Sequence, residues 1–366
     1  ASQRVFAQIV TDTKRIYLDY AATAPMLDAA KKACVEGFEH WANPSSPHGD
    51  GRAAQAMLEN ARRRFKDALG WQGDVIFTSG ASEAIQIALT KSKPAIRFVS
   101  PVEHDVVLRF AQNARSIPVD MNGMVVPTNL NHLLKSAEGP ALVAIQSVNN
   151  ETGVMQDMDA LAKVVRDRGS YLLADCAQSA GKLPLPDADL IIVAGHKFGG
   201  PPGVGALLVK DLRLLQADGG QEQGYRSGTQ NLPYIMGMTA ALEAPANWAG
   251  RAAELRQHLD DAIRKEGGAV IAEKAPRIAT IASYHMPGVA ANTQLIKFDM
   301  AGFSVSAGSA CSSGTLKTSH VLEAMGTDPQ VAREVIRVSI GRDTSRTHIY
   351  AFIDKWKSIF AEARRV

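Results

Sequence analysis

Six short apolar runs recur along the first two-thirds of the chain: Asp74-Val-Ile-Phe-Thr78, Ala95-Ile-Arg-Phe-Val-Ser100, Ala141-Leu-Val-Ala-Ile-Gln146, Tyr171-Leu-Leu-Ala-Asp175, Leu190-Ile-Ile-Val-Ala194 and Gly205-Ala-Leu-Leu-Val209. Each is too short for a helix, and all but the last are closed by a polar or small residue. Helical periodicity fills the gaps, over Ala53 to Leu69, from Ser79-Gly-Ala-Ser-Glu83 to about Thr90, and over Asp157 to Arg168. Continuous short strands alternating with helices predict an α/β fold with a mostly parallel sheet covered on both faces. The composition shifts at Ala244-Pro-Ala-Asn-Trp-Ala-Gly250. Beyond it come a charged helix from Ala252 to Glu266, strand-like runs near Ala269 and Ile278, and a terminal helix from about His348. The expected organisation is a large unit over residues 15–250 and a smaller α+β unit made of 251–366 together with 1–14.

Bulk properties exclude several classes. A length of 366 residues provides for a sizeable core. The net charge of +3 is too small to argue for direct nucleic-acid binding. No apolar stretch approaches the length of a membrane span, and the first residues lack the apolar core of a secretory leader. Cys34, Cys176 and Cys311 are widely separated and match neither a disulfide framework nor a metal-binding spacing. A reducing cytoplasm is the expected location, and no metal site is expected.

Ligands in open α/β sheets bind at the carboxyl ends of strands, so the polar residues there carry the functional reading. Lys197 follows Leu190–Ala194 and Gly195-His196, and precedes a Gly/Pro-rich turn and another apolar run. Burial lowers a lysine pKa and makes the amine nucleophilic toward aldehydes, although a strand-end lysine can also snorkel to water. Thr78-Ser-Gly-Ala-Ser-Glu83 opens a helix whose amides, with the Ser82 hydroxyl, suit a phosphate; Ser82 reads equally as a plain helix cap. Asp175 ends a buried strand, where a protonated ring nitrogen would partner it, and Gln178 lies three residues on. Glu103-His104 sits in a strand-end loop, and Val148-Asn-Asn-Glu-Thr-Gly153 places Asn150 after another strand. Arg337, in Ile336-Arg-Val-Ser-Ile-Gly-Arg342, is the residue type that clamps a carboxylate. Cys311 lies in Phe303-Ser-Val-Ser-Ala-Gly-Ser-Ala-Cys-Ser-Ser-Gly-Thr315, a segment with little to bury, and reads as a reactive thiol; Cys34 and Cys176 read as buried small hydrophobes.

These segments, together with Tyr17-Leu-Asp-Tyr-Ala-Ala-Thr-Ala-Pro25, Asn43-Pro-Ser-Ser46 and Arg226-Ser-Gly-Thr229, resemble the pyridoxal-phosphate-dependent cysteine desulfurases of the NifS/IscS type, within the class V aminotransferase group. They occur in the family's order over nearly the whole chain. The resemblance implies a fold-type I pyridoxal-phosphate transferase and pyridoxal 5'-phosphate as cofactor. It implies that Lys197 anchors the cofactor, Asp175 pairs with its ring nitrogen, Gln178 bonds its phenolic oxygen and His104 stacks on the ring. Ala81, Ser82 and His196 would hold the phosphate, with Thr229 reaching across from the second subunit of a homodimer. Asn150 would lie near the ring face, Asn43 and Arg337 near the substrate carboxylate, and Cys311 would take sulfur from L-cysteine as a persulfide. The implied partner is a sulfur-acceptor protein such as an iron–sulfur scaffold. One position departs: the family often has serine two residues before the His-Lys pair, and Ala194 stands there. Selenocysteine lyase, cysteine-sulfinate desulfinase and aminotransferase remain open within the same fold, and a catalytically silent sulfur-transfer scaffold outside it.

Overall fold

The computed structural model describes residues 15–245, 247–308 and 318–364. Strand β1 (Ile16–Tyr17) belongs to a short pair taken up below. The following strands, β2 (Asp74–Thr78), β3 (Ile96–Val99), β4 (Arg115–Ser116), β5 (Ala141–Gln146), β6 (Tyr171–Asp175), β7 (Leu190–Ala194) and β8 (Gly205–Val209), form one seven-stranded sheet in the order β2-β8-β7-β6-β5-β3-β4. Pairing is parallel from β7 through β6, β5 and β3 to β4, while β8 runs antiparallel to both β7 and β2. Every residue of β5, β7 and β8 is buried. That burial explains why these strands read as unbroken apolar runs: helices cover both faces, so no alternation survives.

The reversed direction of β8 left no mark in the sequence, because a fully buried run reads the same either way. The helix Leu232–Glu243 was also missed. Leu232, Ile235, Met236, Gly237, Met238, Thr239 and Ala241 are all buried, so it has no polar stripe to set a period. It packs against the helices Asp28–Glu39 and Gly49–Leu69. Cys34 lies in this contact and, like Cys176, is a free, buried thiol.

A second hydrophobic cluster is built by β9 (Ala269–Val270), β10 (Ile281–His285), β11 (Phe303–Ser304) and β12 (Val335–Ser339) with the helices Ala249–Lys265 and Arg346–Ala363. Strands β12, β10 and β9 form an antiparallel sheet in that order. Phe298 stacks on Phe352 with ring centroids 4.7 Å apart, and Phe303 meets Phe352 edge-on. Residues 16–18 join this cluster: β1 pairs in parallel with β11, and Leu18 is fully buried there. The boundary expected at residue 15 puts these residues in the large unit. The run expected near Ile278 becomes strand only at Ile281, because the Ile278 N–H is used by the Gly153 carbonyl at 2.8 Å.

The turn that follows β2 is tightly constrained. Gly80, at φ 152°, caps the helix Ala81–Lys91, and Gly205 at the start of β8 lies directly against it. A Cβ at position 205 would fall 2.7 Å from the Gly80 carbonyl carbon and 2.7 Å from the Val193 oxygen, so two backbones would have to separate. Gly205→Ala is therefore expected to destabilise by about 1–3 kcal/mol. Gly250→Ala, where a Cβ meets nothing within 4 Å, should not. Calorimetric melting of both variants checks this; an unchanged melting temperature for Gly205→Ala would contradict the close approach.

Candidate active site

The carboxyl ends of β5, β6 and β7 and the turn after β2 open into one cavity of about 360 Å³. It is lined by Ala81, Ser82, His104, Asn150, Asp175, Gln178, Ala194, His196 and Lys197, among others. Strand β7 passes into a single 3-10 turn, Gly195–Lys197, which brings the lysine out of the core at a fixed angle. The turn is held by Gly195 N–H donating to the Val204 carbonyl at 3.1 Å and by Ala24 N–H donating to the His196 carbonyl at 2.8 Å. Lys197 Nζ donates to the carbonyls of Ala21 and Ala22 at 2.6 and 2.9 Å. Burial, reinforced by the positive Arg337, lowers its pKa to about 8 against the opposing pull of Asp175 and Asp19. A neutral amine is thus available close to neutral pH. Lys182 lies near enough to feel the Lys197 charge and is lowered to about 7, chiefly by burial.

Asp175 is buried at the end of β6, and its Oδ1 accepts the Ala177 N–H at 2.8 Å. Burial raises its pKa; the Ala177 N–H, His104 and Lys197 oppose that rise. Gln178 donates through Nε2 to the Ala21 carbonyl at 2.8 Å. Its Oε1, like Asn150 Oδ1, is buried without a partner among the described residues. Buried acceptors left unpaired in a cavity call for a donor from a bound group. His104 caps the helix Asp105–Phe110, its Nδ1 accepting the Val106 N–H at 3.2 Å. The hydrogen of the neutral ring is therefore on Nε2. Desolvation and the Lys197 charge lower the His104 pKa, against the pull of Asp175.

On the opposite wall, the first regular bond of the helix Ala81–Lys91 is donated by Ala84 to the Gly80 carbonyl at 3.2 Å. The amides of Ala81, Ser82 and Glu83 precede it and carry the positive end of the helix dipole. Ser82 is not the cap: Gly80 is, and no side chain caps this helix. His196 Nδ1 lies 3.2 Å from Thr23 Oγ1, and burial lowers its pKa to about 4, which leaves the ring neutral. Ala194 lines the cavity with no hydroxyl to offer. An amine, a buried carboxylate, an unpaired amide oxygen and a helix N-terminus around one cavity match the aldehyde, ring nitrogen, phenolic hydroxyl and phosphate of pyridoxal 5'-phosphate.

Arg337 on β12 donates to Asp19 Oδ1 and to the Asn150 carbonyl, both at 2.9 Å, and its Nε is buried with no partner among the described residues. Asn43 stands apart from the cavity lining, its Oδ1 turned back to the Ser45 N–H at 2.9 Å. Thr229 is exposed and likewise does not line the cavity of its own chain. Cys311 lies outside the described residues. Sequence reasoning gave no role to Asp19 or Glu151. Glu151 is buried; its Oε2 accepts the Ser319 hydroxyl at 2.5 Å, and Gly308 packs so closely that a Cβ there would fall 2.0 Å from the same oxygen. Glu151 thus holds two residues, Gly308 and Ser319, that flank Cys311 in sequence.

The sequence profile of the aminotransferase class-V family matches residues 16–352. The chain belongs to that family. It is 34% identical to the IscS-like cysteine desulfurase of Mycobacterium tuberculosis, with 95% of this chain and 97% of that protein covered. It is 30% identical to the human cysteine desulfurase, with 93% and 80% covered. Among solved structures it superposes on a NifS-like protein from Rickettsia africae with a TM-score of 0.87, at 28% identity and with 95% and 99% covered.

The lowered Lys197 pKa has a direct consequence. If Lys197 is the residue that captures pyridoxal 5'-phosphate, capture by the cofactor-free protein needs its neutral amine, and the rate should rise with pH through a midpoint near 8. Stopped-flow absorbance across pH 6–10 reads this; a midpoint above about 10, the value of an unperturbed lysine, would contradict the burial argument.

Proposed function

We propose that this chain is a pyridoxal-phosphate-dependent cysteine desulfurase that takes sulfur from L-cysteine, releases L-alanine and carries the sulfur as a persulfide on Cys311. The observation that supports it most is the convergence of the Lys197 amine, buried Asp175 and the unpaired Gln178 Oε1 in one cavity. When bound, the cofactor supplies an electron sink conjugated to the substrate's α-carbon.

Each residue then has work fitted to its surroundings. Lys197 would hold the cofactor, and with its pKa lowered to about 8 its amine could move a proton at the substrate α-carbon. Asp175, at the closed end of β6, holds the proton on the ring nitrogen. Gln178 and Asn150 pair with the ring substituents and face, and the amides of Ala81 and Ser82, with His196, take the phosphate. His104 stacks on the ring and moves protons through Nε2. Arg337, with a free Nε and its charge already fixed by Asp19, orients the substrate carboxylate; the same role for Asn43 rests on the resemblance alone. The net reaction balances without an outside oxidant: the carbon–sulfur bond of cysteine breaks, a sulfur–sulfur bond forms on Cys311, and the proton given up by the Cys311 thiol is matched by the one the β-carbon gains to complete alanine.

Thr229, exposed in its own chain, is suited to reach the phosphate of a second subunit, which makes the working form a homodimer. The persulfide is handed to a sulfur-acceptor protein, as in iron–sulfur cluster assembly or tRNA thiolation. The free thiols of Cys34 and Cys176 fit a reducing cytoplasm, and among the described residues no helix is long and apolar enough to cross a membrane.

The test is to supply L-cysteine and a thiol reductant to the cofactor-loaded protein and measure alanine and sulfide. The expected result is equal amounts of both, with Cys311→Ser reducing them to background while the cofactor absorbance is retained. Sulfide release undiminished in Cys311→Ser would overturn the persulfide step. Alanine formed from L-selenocysteine or cysteine sulfinate but not from L-cysteine would reassign the substrate.

A further inference from the structure

The loop 219–230, which contains Arg226-Ser-Gly-Thr229, is fastened to the phosphate wall of the cavity by two ion pairs, one on the buried Glu222 carboxylate and one partly buried. Strand β2 is an edge strand of the sheet, and its Phe77 N–H, rather than meeting another strand, donates to Glu222 Oε2 at 2.9 Å. Glu222 also receives Arg62 Nη1 and Nη2 at 2.7 and 3.0 Å and Gln230 Nε2 at 3.1 Å. Its backbone, at φ 49°, and that of Gln223, at φ 57°, are held in the left-handed region. Such a conformation persists only where the surroundings over-determine it. The loop is therefore fixed against the strand that leads directly into the Ser79–Ser82 turn.

The second pair lies at that turn. Arg226 Nε donates to Glu83 Oε1 at 2.9 Å, and Ser79 N–H donates to Glu83 Oε2 at 2.5 Å. The two side chains are 14% and 25% exposed, so the pair is little screened. Burial alone would raise the Glu83 pKa; the Ser79 N–H and Arg226 outweigh it and keep the carboxyl ionised. Glu83 itself lines the cavity, in the first turn of the helix whose amides face the phosphate position. A lone carboxylate there would repel a phosphate. Arg226 cancels that charge and, through Glu83, holds the Ser79 amide in place. The same guanidinium donates through Nη1 to the Gly228 carbonyl at 3.0 Å, next to Thr229.

We infer that Arg226 and Glu83 are positioning residues for the cofactor phosphate: the ion pair sets the helix-start cradle and removes the negative charge that would oppose an anion in it. Neither needs to touch the cofactor. The inference rests on the proposed cofactor reading and deepens it.

Pyridoxal, which lacks the phosphate, separates the two. Binding of pyridoxal 5'-phosphate and of pyridoxal to the cofactor-free protein is measured by equilibrium dialysis for the wild type, Arg226→Gln, Glu83→Gln and the double variant. Arg226→Gln should weaken pyridoxal 5'-phosphate by about 10–100-fold, as loss of an outer-shell partner does elsewhere, while pyridoxal affinity changes by less than about threefold. The double variant, in which the glutamine oxygen still accepts the Ser79 N–H but carries no charge, should recover most of the loss. An equal loss for both ligands, no loss for either, or no recovery in the double variant would overturn the inference. A wild-type protein that shows no preference for the phosphorylated ligand would instead overturn the cofactor reading on which it rests.

Discussion

The structure turns on one electrostatic problem: an amine and a carboxylate, Lys197 and Asp175, are held out of water at the ends of adjacent buried strands. Burial keeps most water from both, and each shifts the other's pKa: the lysine lowers the carboxyl less than burial raises it, and the carboxylate raises the amine less than burial lowers it. The cost is tolerable because each has a partial partner, the Ala21 and Ala22 carbonyls for the lysine and the Ala177 N–H for the aspartate. Unsatisfied groups of this kind are where a protein stores binding energy for a ligand. A pyridine ring bearing an aldehyde, a phenolic hydroxyl and a phosphate supplies what the amine, the carboxylate, Gln178 Oε1 and the helix amides each lack.

The rest of the fold keeps that arrangement in place. Parallel strands β5, β6 and β7 put their carboxyl ends side by side, so residues far apart in sequence share one cavity. Antiparallel β8 inserts between β7 and β2 and brings the Gly80 turn next to Lys197's strand. The second core delivers Arg337 from β12, while Asp19, just beyond β1, fixes its guanidinium. The Asn150 carbonyl accepts from the same arginine, which ties the second core to a residue that lines the cavity.

The sequence made the core strands legible because their complete burial removes every polar residue except at the ends. Asp175, which closes one such run, and Lys197, just beyond another, stood out for the same reason; Gln178, Ser82, His104 and Asn150 lie in the loops after such runs, and their expected roles came through the resemblance. Asn43 and Thr229 were legible only through resemblance, and within one chain neither lines the cavity. The ion pairs behind the site were not legible at all. Arg337 and Asp19 are 318 residues apart, and Arg226 and Glu83 are 143 apart. No local pattern links them; only the topology does. Glu151 was visible as part of a polar turn, but its contacts with Gly308 and Ser319 depend on how the second core closes over β5.

The central claim is that Lys197, and not its neighbour Lys182, anchors the cofactor. Lys182 is the sharper competitor because burial lowers its pKa further, to about 7 against about 8. Reduction of the pyridoxal 5'-phosphate-loaded protein with borohydride, followed by peptide mass spectrometry, decides between them. The account predicts one phosphopyridoxyl group per chain, on Lys197. The label on Lys182, or spread over surface lysines, would contradict it.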